Sequence, residues 1–141
     1  MKESICTILG VIGSFIASLF GGFDAGMITL IIFMVVDYIT GLVVAGVFKN
    51  STKTESGALE SRAGWKGLCR KGVTLLIVLI AYRLDLLIGT NYIRDAVIIG
   101  FCANEAISII ENAGLMGIPL PSVISKAIDL LTKKSNSESE E

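Results

Sequence analysis

Residues 25–48 read AGMITLIIFMVVDYITGLVVAGVF, an apolar run broken by one charged side chain, Asp37. A run of this length exceeds the roughly 20 residues that carry a helix across a bilayer. Its thirteen Ile, Leu, Val and Phe residues between Met27 and Phe48 favour insertion by on the order of 4 to 6 kcal/mol, enough to carry one carboxylate. Three more apolar blocks flank it, at 5–23, 72–90 and 96–118. The whole chain has 141 residues, 52% apolar, with a mean hydropathy of +0.73. Apolarity gathered into such blocks excludes an ordinary soluble domain. The fold expected is an all-α integral membrane protein with about four transmembrane helices.

The net charge of −1 conceals an asymmetry. Lys2 precedes the first block; Lys49, Lys53, Arg62, Lys66, Arg70 and Lys71 lie between the second and third; Lys126, Lys133 and Lys134 follow the fourth. Only Arg94 lies on the opposite side, and Arg83 falls within a block. The excess of basic residues on alternate connections places both termini in the cytoplasm. A cleaved signal peptide is the competing reading of the first block. Its removal would strand Lys126, Lys133 and Lys134 on the wrong side, so the block is read as retained. The division expected is therefore a transmembrane helical domain over 1–118, with a basic cytoplasmic loop at 49–71, and a cytoplasmic tail over 119–141.

Charges inside the blocks need partners, because each costs roughly 2.5 to 3.5 kcal/mol at the centre of a span. Asp37, Arg83, Asp85 and Glu105 are the candidates for intramembrane pairing. Arg83 and Asp85 lie about 200° apart around a helix and cannot neutralise one another within it. Arg83 and Glu105 fall roughly 10 and 13 Å from the outer boundary, and Asp37 roughly 18 Å. An Arg83–Glu105 pair is the preferred match and Arg83–Asp37 the second.

Small residues mark a packing face in the first block, where Gly13, Ala17 and Gly21 recur at steps of four beside Gly10, Ser14 and Ser18. Such residues are common in membrane helices for other reasons, which is the plainer reading. In the fourth block Asn104, Glu105, Ser108, Glu111 and Asn112 form a polar stripe. Either it faces water and lines a pore, or it packs against other helices within one subunit. The loop ends in GWKGLCRKG, whose Trp65, Lys66, Arg70 and Lys71 suit a membrane interface. Beyond Pro119 and Pro121, SVISKAIDLLTKK predicts a short amphipathic helix capped by Ser122 and resting on the inner membrane surface, and the acidic SNSESEE predicts disorder.

Little in the chain supports catalysis. Gly67–Thr74 reads GLCRKGVT, but Val73 stands where a phosphate-binding loop needs lysine. With no His, and Cys6, Cys69 and Cys102 outside metal-ligand spacing, no metal, cofactor or nucleophile–base pair is expected. The chain reads as a non-enzyme, with no nucleic-acid partner.

Three stretches in order, DYITGLVVAGVFKN (37–50), GLCRKGVTLLIVLIAYRLD (67–85) and ANEAISIIENAGLMGIPLPSVISKAIDLL (103–131), resemble the bacteriophage holin family that includes the clostridial toxin-secretion holins. The more specific elements are Asp37 with Gly41, Arg70 with Lys71, Asp85, and the series Glu105, Ser108, Glu111, Asn112, Gly117, Pro119 and Pro121. The resemblance implies a multi-pass protein of a host bacterium's cytoplasmic membrane that forms a homo-oligomer among membrane lipids. It implies lesions opened at a set time, through which an endolysin or a toxin leaves. It adds Gly41 to the helix-packing residues. A small transporter or ion-conducting oligomer using Asp37 or Glu105 as a cation site is the leading alternative, and an antiholin or membrane anchor the third.

Overall fold

The structure, a computed structural model, describes residues 1–140. Five helices account for the ordered elements: α1 (Lys2–Leu19), α2 (Ala25–Gly46), α3 (Ser61–Ile88), α4 (Ile93–Leu115) and α5 (Ser122–Ser139). No strand occurs among the described residues. The all-helical expectation holds.

Local chemistry sets the helix ends. Asp24 caps α2, its carboxylate accepting the Met27 amide at 3.0 Å, which satisfies one of the free donors of a first turn. Gly89 closes α3 at φ +80, while the Gly89 and Thr90 amides both donate to the Asp85 carbonyl; only a residue without Cβ adopts that conformation cheaply. The first and second helices are joined by Gly21 and Gly22, both at positive φ.

Helix α4 is central, packed against α2, α3 and α5. Met27, Leu30 and Met34 of α2, Val78 of α3, and Ile98 and Cys102 of α4 form the buried core. Spacings of three and four put the α2 residues on one face. Ala81, Ala103 and Ala106 are also buried, and their small side chains let the α3 and α4 backbones approach. The bundle has a turn end, carrying residues 20–24 and 89–92, and a loop end, carrying residues 47–60 and 116–121.

Four features depart from the sequence reading. Helix α3 begins at Ser61, so half of the expected 49–71 loop is helical, including Trp65, Lys66, Arg70 and Lys71. Gly64 and Gly67 lie close under Tyr38, whose hydroxyl donates to the Gly64 carbonyl at 3.3 Å; tertiary contact there overrides the weak helix propensity of glycine. Helix α5 starts after Pro121, with Ser122 inside the helix and not its cap. It runs to Ser139 through the stretch expected to be disordered, and packs along α4 with Leu131 on the core and Ser135 beside Gly100. The last acidic residue, Glu141, lies outside the described residues.

The fourth departure concerns α1, which buries none of its residues. Gly13 faces open space, Ala17 is half-buried, and Gly21 lies beyond the helix end in the turn. Gly41 packs elsewhere, with Asn112 beside it. The four small residues therefore do not form one packing face within this chain. Both α1 and α2 are long and apolar enough to cross a membrane. Helices α3 and α4 have the length, but charged and polar residues dilute their apolarity.

Candidate functional site: a lysine between two carboxylates

The α2, α3 and α4 helices converge on one ammonium group. Lys71 Nζ lies 2.7 Å from Asp37 Oδ2 and 2.6 Å from Glu105 Oε2. The three side chains are 15%, 7% and 15% exposed, in the order Lys71, Asp37, Glu105. The other Asp37 oxygen, Oδ1, accepts from the Asn112 amide at 3.1 Å, and the same amide nitrogen reaches Thr40 Oγ1 at 2.9 Å. Both oxygens of the deepest carboxylate are thus hydrogen-bonded, the condition under which a buried charge is tolerable. One lysine between two carboxylates leaves the cluster with one uncompensated negative charge.

The partner expected for Glu105 is Arg83, and the structure corrects this. Arg83 is exposed and makes no ion pair among the described residues. Its neighbours two residues away on either side, Ala81 and Asp85, are both buried. At about 100° per residue, Arg83 must point to the opposite side of α3. Lys71 takes its place because it shares a face with Leu75, Val78, Tyr82 and Asp85, at steps of four, three, four and three. That period is present in the sequence, but the glycine-rich stretch that holds Lys71 reads as a loop.

Asp85 has a different partner. Its carboxylate accepts the backbone amides of Ile93 at 3.0 Å and Arg94 at 2.8 Å, and the Thr90 hydroxyl at 2.6 Å. It therefore serves the first turn of α4, where free N–H groups and the helix dipole favour an anion. Beside it Arg94, a residue sequence reasoning left without a role, is buried and ties the turn end together. Its guanidinium donates to the carbonyls of Phe20 and Gly22 and to Asp24, 2.8 Å away. This hydrogen bond from Arg94 holds the Asp24 carboxyl below its ordinary value.

The polar stripe of α4 divides into two rows. Glu105, Ser108 and Asn112 turn inward, whereas Asn104 and Glu111 are exposed. Between α2 and α3 at the loop end lies a cavity of about 720 Å³. Asp37, Glu105, Ser108 and Asn104 line it together with Lys66 and Arg70. Trp65 points outward, 66% exposed. No group of three or more potential metal-ligating side chains occurs among the described residues.

A sequence model described as the bacteriophage holin family matches residues 14–133. This chain belongs to the bacteriophage holin family. A protein of Bacillus phage phi105 named "Probable holin" is 29% identical over 112 residues, covering 79% of this chain and 77% of that one. An uncharacterised protein of Listeria innocua is 41% identical over 134 residues, covering 94% and 89% of the two chains. One from Clostridium perfringens is 33% identical over 136 residues, covering 94% and 95%. No solved structure matches. Holin membership, with two helices long and apolar enough to span, makes this a membrane protein and agrees with the non-enzymatic reading.

Proposed function

We propose that this holin inserts α1 to α4 across the cytoplasmic membrane of a host bacterium, oligomerises, and opens lesions that release an endolysin, or a toxin, at a set time. The observation that carries the reading is the closed Asp37–Lys71–Glu105 cluster. It hides polar side chains of α2, α3 and α4 inside one chain, so that each subunit can reside in lipid before any hole exists. Helix α1, apolar and unburied, suits contact with lipid or with other subunits. Membrane lipids and further copies of the chain are its direct partners. The passenger enzyme need only diffuse through the opening.

In this reading the inward row Glu105, Ser108 and Asn112, with Asn104 beside it, comes to line or seal the hole when helices exchange partners. Glu105→Gln would leave Lys71 matched one-to-one with Asp37, so the subunit stays folded while the charge facing the hole changes. The expected result is altered lysis timing at unchanged protein level; unaltered timing would remove Glu105 from the lumen. The cavity reaching Asp37 and Glu105 also supports a second reading, a small ion-conducting or transporting oligomer with a cation at those carboxylates.

One experiment separates the readings. Expression is induced in a bacterium while optical density and membrane potential are followed, with and without a cytoplasmic endolysin. Delayed, abrupt depolarisation with lysis only when endolysin is present is expected of the holin. Sustained growth with coupled flux would favour the transporter, and growth with intact potential an antiholin or anchor.

A further inference from the structure

The loop-end cavity carries more positive charge than the buried cluster uses. Arg62, Lys66 and Arg70 follow one another at steps of four along α3, and Lys53 joins them from the 47–60 segment; all four line the cavity. None forms an ion pair among the described residues. Of the acidic lining groups, Asp37 and Glu105 are engaged by Lys71, and Glu60 accepts the Ser56 hydroxyl at 3.2 Å. Counting Lys71, five cations therefore face four carboxylates, Asp37, Glu55, Glu60 and Glu105, so the lining as a whole keeps an excess of one positive charge. The volume of about 720 Å³ lies within the roughly 300 to 1,000 Å³ typical of small-molecule sites.

The apolar surroundings indicate which anion. Leu42 lines the cavity, and from it an exposed row runs along α2 through Ile39, Val35, Ile32 and Ile28. That row is about 21 Å long at 1.5 Å per residue, more than the roughly 15 Å of one hydrocarbon leaflet. A cationic pocket at the head of an exposed apolar helix face matches an amphiphile with a phosphate at one end. Basic pockets between membrane helices bind anionic headgroups on these grounds. We propose that the cavity binds the phosphate of an anionic phospholipid, with Arg62, Lys66, Arg70 and Lys53 around the headgroup and an acyl chain along Leu42, Ile39 and Val35. The site would tie each subunit's loop end to the lipid composition of its leaflet. This rests on the reading that the chain spans a membrane.

The test uses the full chain purified in neutral detergent, with lipid binding read by native mass spectrometry and by the shift in thermal unfolding. Phosphatidylglycerol, phosphatidylcholine and inorganic phosphate are the three probes. Phosphatidylglycerol should bind at least roughly tenfold more tightly than phosphatidylcholine, and the doubly neutralised R62Q/R70Q chain should lose roughly that factor. Neutralising the same number of charges on α5, in K133Q/K134Q, should leave binding unchanged, which separates a local site from overall charge. Equal binding of the two lipids, inorganic phosphate acting as well as the lipid, or undiminished binding by R62Q/R70Q would each overturn the proposal. Alkaline carbonate extraction of membranes tests the underlying reading separately. Release of the chain would sink the spanning arrangement, whereas retention without lipid preference would sink only the site.

Discussion

Replacing Lys71 by Met should be the most damaging single change in the bundle. Methionine is an unbranched side chain one atom shorter than lysine, and it removes the only cation between Asp37 and Glu105, which approach it at 2.7 and 2.6 Å. With side-chain exposures of 7% and 15%, the two carboxylates can regain hydration only through the loop-end cavity that they line. Breaking a buried pair by removing one partner costs about 3 to 5 kcal/mol, a factor of roughly 100 to 4,000 in the folded-to-unfolded ratio. The assay is denaturant titration of purified protein in detergent, alongside the amount retained in membranes. Neutralising the whole cluster, in the chain carrying K71M, D37N and E105Q together, should recover most of the loss, because the carboxamide oxygen at position 37 still accepts from Asn112 and no charge is left unmatched. Arg83→Met should change stability by less than about 0.5 kcal/mol, as for other exposed sites. The reasoning fails if the Lys71→Met chain is as stable as the parent, or if the neutral triple variant is no better than the single one.

At the turn end, Arg94→Lys should lower stability by roughly 2 kcal/mol, because an ammonium cannot span the Phe20 and Gly22 carbonyls and Asp24 as the guanidinium fork does; thermal unfolding in detergent reads it. Asp24 has a folded pKa below its ordinary 3.8, so its contribution is present above that value and disappears as pH falls through the folded pKa. Acid titration should therefore show the parent converging on Asp24→Asn only at the acid extreme, with a small gap above it because Asp24 is 53% exposed. Asp85→Ala should cost about 2 kcal/mol by freeing the Ile93 and Arg94 amides, visible as faster hydrogen exchange at those two positions. Gly21→Ala places a Cβ 2.8 Å from the Tyr82 ring at φ +80; the left-handed backbone alone costs roughly 1 to 2 kcal/mol, and the unfolding temperature should fall accordingly.

The helices were readable because hydropathy and turn chemistry act locally. The second apolar block, 25–48, coincides with α2 to within two residues, since Asp24 offers a cap and Val47–Asn50 leaves the apolar pattern. Glycines after α1, α3 and α4 and the prolines before α5 likewise punctuate the chain where the helices stop. The α3 start differs because the sequence reading follows apolarity, which Arg62, Lys66, Arg70 and Lys71 interrupt, whereas the helix is held there by the Tyr38 contact with Gly64, 26 residues away in sequence.

The sequence alone determined that this is a helical membrane protein of the holin type, that its apolar blocks carry Asp37, Asp85 and Glu105, and that these charges need partners. Only the tertiary structure decided the partners: Lys71 in place of Arg83 for Glu105 and Asp37, backbone amides of α4 for Asp85, and a turn clasped by Arg94. The physical reason is that insertion energy sums along one segment, whereas an ion pair depends on the rotation and axial register of two segments. A single residue of helix turns a side chain by about 100°, so depth estimates accurate to a few ångströms still leave its direction open. That direction is fixed by the apolar packing of α2 and α3 on α4.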